Sequence, residues 1–553
     1  MKTRRLAGLV LVLFFGGVSI ATAVTRYVNV SNAAPAAPYT NWAMAATAIQ
    51  PAIDAAASGD EILVAPGTYS LTGTEVNIPP GKALTLSSTL SRAAVIDAQG
   101  LSRGMTIEGA NSWVAGFTIR NGSDLGHAGG GVYLLTNCVV QDCLVASNRA
   151  TSGGGVYVVS GAIVQNCEIV GNQADFGGGA EINAGGLIQR CTVASNAAAH
   201  GGGIELYEAG TAAECLIEGN VAGSMGGGVV FYSGQSGLVR DCVIRGNAVT
   251  NLDMGVGGGG IHIQQSGIVS NCWITGNSVA STNGWGGGVL MDSAGQTSTG
   301  RLVNAVISGN WAGGLGGGVY SSGPLGAVQP VINCTIVSNS AGRDGGGAWA
   351  YTTRFINDII YFNSAPTNAN LNAHDEVLSC IVSNCCTTSN YFWPNITNAP
   401  AFVDAGAGDF RLATASFCID AGTTNGAPRT DIDGNPRPRR GMPGSGSTNC
   451  DMGACEYGFH FNSIETVSSN AVRFRWDVQD VGRYRVDIAT NAAADPAHPA
   501  WSVVMGYTQA TVIGLGQFAV YETTVTNPVP PMPGRGLFRL RIDRATPGKQ
   551  RGP

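Results

Sequence analysis

The stretch NRATSGGGVYVVSGAIVQNCEIVGN, residues 148–172, decides the fold, because residues 172–196 repeat its plan as NQADFGGGAEINAGGLIQRCTVASN. An Asn, a short variable stretch, at least three glycines and a β-type pair recur nine times, with the Asn at positions 121, 148, 172, 196, 220, 247, 277, 310 and 339. The step is often 24 residues and otherwise somewhat longer. A unit of this length cannot bury its apolar side alone and must stack on its neighbours, so the pattern predicts a solenoid.

Aligned on the Asn, Cys143, Cys167, Cys191, Cys215, Cys242 and Cys272 all fall five residues earlier, with Ala305 in the next slot. Val145, Ile169, Val193, Ile217, Ile244 and Ile274 follow two residues after each Cys. Period-two alternation points both columns inward and Leu144, Glu168 and Thr192 outward. Consecutive thiols would then stand ~4.8 Å apart, a spacing compatible with compact reduced core thiols and with paired neighbours. Asn tolerates the left-handed backbone region and can bond along a stack, while glycines 153–155, 177–179 and 201–203 permit a sharp bend. Strands such as Val156-Tyr157-Val158 and Ile204-Glu205-Leu206 follow the bend, and a further apolar segment through Val164, Ile188, Val239 and Val269 precedes the Cys strand. Three short strands per turn make a parallel β-helix.

The alternation of Ile274-Thr275-Gly276-Asn277 with Gly286-Gly287-Gly288-Val289 resembles the repeats of polymorphic outer-membrane proteins and of the wider right-handed β-helix, pectate-lyase-like superfamily, over about residues 113–384. That resemblance implies an all-β, right-handed parallel β-helix solenoid. Upstream, the series from Tyr27 through Gly59-Asp60-Glu61-Ile62 to Pro66-Gly67-Thr68-Tyr69 looks like the opening of many secreted bacterial β-helices. Residues Trp42 to Ala57 read as a short amphipathic helix capping the first rung, where an open sheet end would invite pairing with another chain. Downstream, Gly408-Asp409-Phe410-Arg411-Leu412, Cys418-Ile419-Asp420-Ala421-Gly422, Asp431-Ile432-Asp433-Gly434 and Asp451-Met452-Gly453-Ala454-Cys455-Glu456-Tyr457 resemble the "choice-of-anchor Q" segment that closes many such proteins.

The ends suggest export. Lys2, Arg4 and Arg5 precede an apolar run from Leu6 to Ile20 and the triplet Ala21-Thr22-Ala23, the layout of a cleaved secretory signal peptide. The run is shorter than the ~20 residues that a membrane span needs. The expected organisation is therefore signal peptide 1–23, cap and first rungs 24–112, repeats 113–390, closing segment 391–457, a small β-sandwich of fibronectin type III style over 458–545, and a disordered tail 546–553. Strands such as Val472-Arg473-Phe474-Arg475-Trp476 and Tyr484-Arg485-Val486-Asp487-Ile488 carry the sandwich reading. With 12% charged residues, 81 glycines and a net charge of −6, the chain is neither a charged disordered protein nor a nucleic-acid binder. The expected location is secreted or at a bacterial cell surface, with no membrane span after cleavage of the signal.

Chemistry is expected in the variable outward slots. The first residue to point outward after each glycine run gives Tyr133, Tyr157, Glu181, Glu205, Val230, His262, Leu290, Tyr320 and Trp349, and a second column adds Asn183, Tyr207, Tyr232, Gln264, Asp292 and Tyr351. Aromatic platforms with acid and amide neighbours suit a sugar polymer, although Tyr and Trp also simply favour exposed strand positions. Glu181 and Glu205 occupy equivalent places on adjacent rungs, ~5 Å apart along the backbone, near the ~5–5.5 Å of a retaining glycosidase's carboxyl pair. Against that stands the ordinary reading of two acids on a solvated face. His262 lies two rungs beyond Glu205, too far for a direct relay, and reads as a surface or ligand-contact residue. Longer loops at 248–256 and 278–285 wall a groove containing His262, Gln264, Trp285 and Asp292, the preferred contact site.

A calcium-dependent lyase needs clustered acids with a basic partner, and in these columns Glu181, Glu205 and Asp292 have no Arg beside them. Asp431-Ile432-Asp433-Gly434 reads as a tight turn; the alternative, calcium at Asp431 and Asp433, lacks the bidentate Glu of an EF-hand. Cys418, Cys450 and Cys455, with Cys380, Cys385 and Cys386, are better disulfide candidates than the ladder thiols. The chain thus reads as a non-catalytic glycan-binding or adhesin-like protein with a polysaccharide or cell-surface glycan as partner and no cofactor. The alternative is a polysaccharide-degrading enzyme using Glu181 and Glu205.

Overall fold

The computed structural model describes residues 23–457, apart from 233–236, 253–256, 293–299, 325–327, 375–379, 390, 392–393, 439–448, and beyond them the backbone of strands between 460 and 543. The signal segment through residue 22 and the tail 546–553 lie outside the described residues.

Each turn of the solenoid places one strand in each of several parallel sheets. In one such turn these are Val139–Gln141, Leu144–Ala146, Arg149–Ser152 and Val156–Val158, belonging to sheets of 14, 13, 9 and 12 strands respectively. We refer to them as the first to fourth sheets. There are therefore four strands per turn where the sequence pattern predicts three. The extra one, Arg149–Ser152 and its equivalents, escapes a hydrophobic reading because it contributes nothing to the main core; it is held by backbone pairing along the stack.

The register is in step throughout: Val156, Tyr157 and Val158 lie opposite Ala180, Glu181 and Ile182, which lie opposite Ile204, Glu205 and Leu206. Inside, Val140, Val145, Val156 and Val158 and their equivalents are buried with the Cys column in one continuous core. Every cysteine is a free, buried thiol, including Cys418, Cys450 and Cys455. In the ladder, the amide of Cys143 donates to Sγ of Cys167 at 3.4 Å and the thiol of Cys143 donates to the Gln141 carbonyl at 3.2 Å. The neighbouring thiol and burial hold the Cys143 and Cys215 thiols well above their ordinary range.

The Asn column is a buried hydrogen-bond ladder. The backbone N–H and the side-chain Nδ2 of Asn148 both donate to Oδ1 of Asn172, at 2.9 and 3.0 Å, and Asn172 does the same to Asn196. The pattern runs on through Asn220, Asn247, Asn277, Asn310 and Asn339 to Asn363 and Asn370. Two sequence expectations change here. The left-handed residue is the one before each Asn, such as Ser147, Gly171 and Ser195. Asn121 occupies that left-handed slot itself, so the backbone of Gly122 starts the ladder by donating to Asn148 Oδ1 at 2.7 Å.

At the N-terminal end the expected helix is shorter than Trp42 to Ala57. A 3-10 turn covers Trp42–Met44 and the α-helix Ile49–Ala55 buries Ile49, Ala52 and Ile53. Between them Ala46 is extended, because its N–H donates to Tyr27 of the first strand, Thr25–Val28, and its carbonyl accepts from Asn29 just after that strand. At the other end, Phe410, Leu412, Cys418, Met452 and Tyr457 of the closing segment pack on Val306, Val337 and Ile359 of the second sheet. Arg437 and Glu456 form a buried ion pair at 3.3 Å within it. Farther on, the chain forms antiparallel sheets of four and three strands; the predicted segments fall within Ala471–Val478 and Arg483–Ala489.

Candidate functional site

The outward side of the fourth sheet is not an open wall. The last residue of each third-sheet strand turns over it: Ser152, Phe176 and His200 are in register with one another, and His200 with Met225. The chain then doubles back through its glycines. Gly177 has φ of +59°, and a Cβ there would lie 2.3 Å from the Ala180 carbonyl oxygen, so only glycine fits. This tight return brings third-sheet side chains above the fourth-sheet column.

Burial follows. Glu181 is 6% exposed, Glu205 2% and His262 1%, and Tyr320 is buried as well. These residues were expected to point into water; the overhanging third-sheet residues are the reason they do not. Tyr133, Tyr157, Gln264, Trp285, Asp292 and Trp349 are half-buried, and Tyr207 and Tyr232 are each 37% exposed.

Glu181 and Glu205 are direct partners in adjacent strands. Burial, only partly offset by a hydrogen bond with Ser152, pushes the Glu181 carboxyl up to about 7. Burial and the neighbouring Glu181 push Glu205 up to about 9. Oε2 of Glu205 is buried without a hydrogen-bond partner among the described residues. Two carboxyls with separated proton affinities are the electrostatic signature of acid–base pairs, but almost no surface of either reaches solvent.

His262, at 1% exposure, offers the expected groove almost no surface of its own. Its Nε2 lies 3.1 Å from Asp292 Oδ1, while Nδ1 is buried without a partner among the described residues. The loop 248–256 that was to wall the groove falls partly outside the described residues. Trp285, from the second loop, stacks on Tyr320 with ring centroids 5.1 Å apart, and Tyr320 stacks on Trp349 at 4.8 Å. Upstream, Tyr133 and Tyr157 stack at 5.3 Å, with the Arg103 guanidinium 4.9 Å from the Tyr133 ring centroid. Between these two stacks Tyr207 and Tyr232 lie 6.3 Å apart, and Phe176 and His200 close over Tyr232 at 6.2 and 6.1 Å.

Sequence reasoning therefore missed Phe176, His200, Ser152 and Arg103. The first three share one signal, the position four residues after the ladder Asn, within the short variable stretch that precedes the glycines. Burial and His262 lower the proton affinity of His200, so the aromatic cluster around it is neutral near pH 7.

Elsewhere, Oδ1 of Asp431 accepts from the backbone of Asp433 and Asn435, and Oδ2 accepts from Asn435 Nδ2 and the Glu456 backbone. This carboxylate organises a turn, and its donor set is protein N–H groups. Among the described residues no three His, Cys, Asp or Glu side chains are grouped to hold a metal ion, and no helix is long and apolar enough to cross a membrane.

Comparison with known proteins bears on this architecture. Over 74 residues the chain is 36% identical to the "Probable autotransporter YfaL" of Escherichia coli (strain K12), a match covering 12% of this chain and 6% of that protein. Among solved structures it is similar to pectate lyase Pel9A, at 17% identity and TM-score 0.34 over 80% of this chain and 98% of that one. It is also similar to XylC in complex with xylose, at 9% identity and TM-score 0.38 over 78% and 98%. Residues 178–364 match the family described as "Right handed beta helix region". By that match and by its own parallel rung-to-rung register, the chain is a right-handed parallel β-helix repeat protein.

Proposed function

We propose that this is an exported, surface or secreted protein that binds a polysaccharide along the outer face of its fourth sheet, without cleaving it. The observation that carries the reading is the pair Tyr207 and Tyr232, stacked, exposed and set between two further aromatic stacks on the same face. Pyranose rings present apolar faces to aromatic rings and hydroxyls to groups such as Asn183 and Gln264. An axial polymer would meet an aromatic group every few rungs. The low exposure of Glu181 and Glu205 favours support of this floor over turnover. Retention of the full chain on immobilised polysaccharides, without new reducing ends, tests the reading; release of fragments would contradict it.

The enzymatic alternative draws on one observation, the adjacent carboxyls held at about 7 and about 9. It requires product formation by the wild type that both Glu181→Gln and Glu205→Gln abolish.

A further inference from the structure

A groove of about 420 Å³ lies against the third sheet, away from the aromatic face, and takes in Ala150, Ala174 and Ala198 from successive rungs. Its volume lies within the range of small-ligand sites, roughly 300–1,000 Å³. The groove has ends. On one side stands Leu125, in the bulged strand Ser123–Ala128 that begins this sheet. On the other, the alanine column continues as Ala222, Val249 and Val279, which are fully buried and pack on one another. Ala174 and Ala198 are partly exposed where the following residues of the column are filled, while Ala150 at the Leu125 end is only 3% exposed, so the open floor spans two rungs, ~5 Å apart.

Several outer polar side chains are satisfied along the stack: Gln165 donates to Gln141 and Gln189 to Gln165, each at 2.8 Å, and Arg245 pairs with Glu218. Arg149, Gln173 and Asp175 line the groove, are exposed, and have no side-chain partner among the described residues. They offer a cation, an amide and a carboxylate around a methyl floor.

We infer that this groove is a second carbohydrate site, taking a neutral segment of two or three sugar rings, with ring faces on Ala174 and Ala198 and hydroxyls on Arg149, Gln173 and Asp175. The inference rests on the reading of the protein as a glycan binder and adds a site of fixed length to it. Paired donors and acceptors of opposite charge select hydroxyls over a uniformly anionic chain. The closed ends select a short segment over a passing polymer.

The test titrates the full chain with neutral trisaccharides (cellotriose, xylotriose and mannotriose) by saturation-transfer NMR and calorimetry. At least one should bind the wild type, and the exposed double variant Gln173→Ala/Asp175→Ala should weaken it about tenfold or more. Ala174→Trp should abolish binding by filling the floor; the double variant decides if the Trp variant does not fold. Tyr207→Ala should leave trisaccharide affinity unchanged while impairing retention on polymer, which separates failure of this site from failure of the aromatic face. Absence of binding by all three trisaccharides, or binding unchanged in the folded double variant, overturns the inference.

Discussion

Glu205 stands directly beside Glu181 in the parallel register of adjacent rungs, and its buried Oε2 finds no hydrogen-bond partner among the described residues. The pair is a cost that grows with pH. A carboxyl raised from 4.5 to about 9 in the folded chain keeps its proton there while the unfolded chain loses it. Its stabilising contribution is therefore complete below about pH 4.5 and is progressively lost as pH rises towards 9. Glu205→Gln should flatten this dependence and be the more stable protein at pH 9, by about 1–2 kcal/mol. Thermal melts from pH 5 to 9 check it; parallel curves for the two proteins would show that Glu205 does not carry the proton.

The Asn ladder should dominate stability at single sites. Oδ1 of Asn220 accepts from the backbone and side chain of Asn196, and its Nδ2 donates to Val193 and Asn247. Asn220→Ala strands buried donors and acceptors on both sides and should cost about 2–4 kcal/mol in a urea denaturation series. A loss under about 0.5 kcal/mol, the scale of an ordinary surface change, would mean that the ladder is ornamental.

Gly177→Ala should be comparably damaging, about 2–4 kcal/mol, since it combines positive φ with a backbone clash. Gly171→Ala keeps the positive φ but has open space around its Cβ, so it should cost only about 1 kcal/mol. Equal losses in the two variants would contradict the tight return at the third sheet.

The thiols give a chemical check. All 14 are free and buried, so a thiol reagent should label none rapidly in the native protein and all of them in denaturant without reductant. A denatured count short by two or more would place a disulfide among them.

Much of this architecture was legible in the repeat, and what escaped has a common cause. Periodicity reports side chains that enter the main core, so the Cys column and the Val156-type strands were evident. The third sheet was not, because Arg149, Ala150, Thr151 and Ser152 have no apolar alternation and are held by backbone bonds. Missing that sheet also misplaced the solvent boundary. Glu181, Glu205 and His262 do leave the core as predicted, but they pass beneath Phe176, His200 and their neighbours, which alternation within one strand cannot reveal. Asn121 shows the same limit at a single residue, since one register position separates a ladder rung from a left-handed turn.

The most direct test of the binding face compares wild type with the Tyr207→Ala/Tyr232→Ala double variant by affinity electrophoresis through gels containing neutral polysaccharides. Both side chains are substantially exposed, so the fold should survive. A polysaccharide that retards the wild type should retard the folded variant at least about tenfold less in apparent affinity. Equal retardation of the two proteins would contradict this expectation.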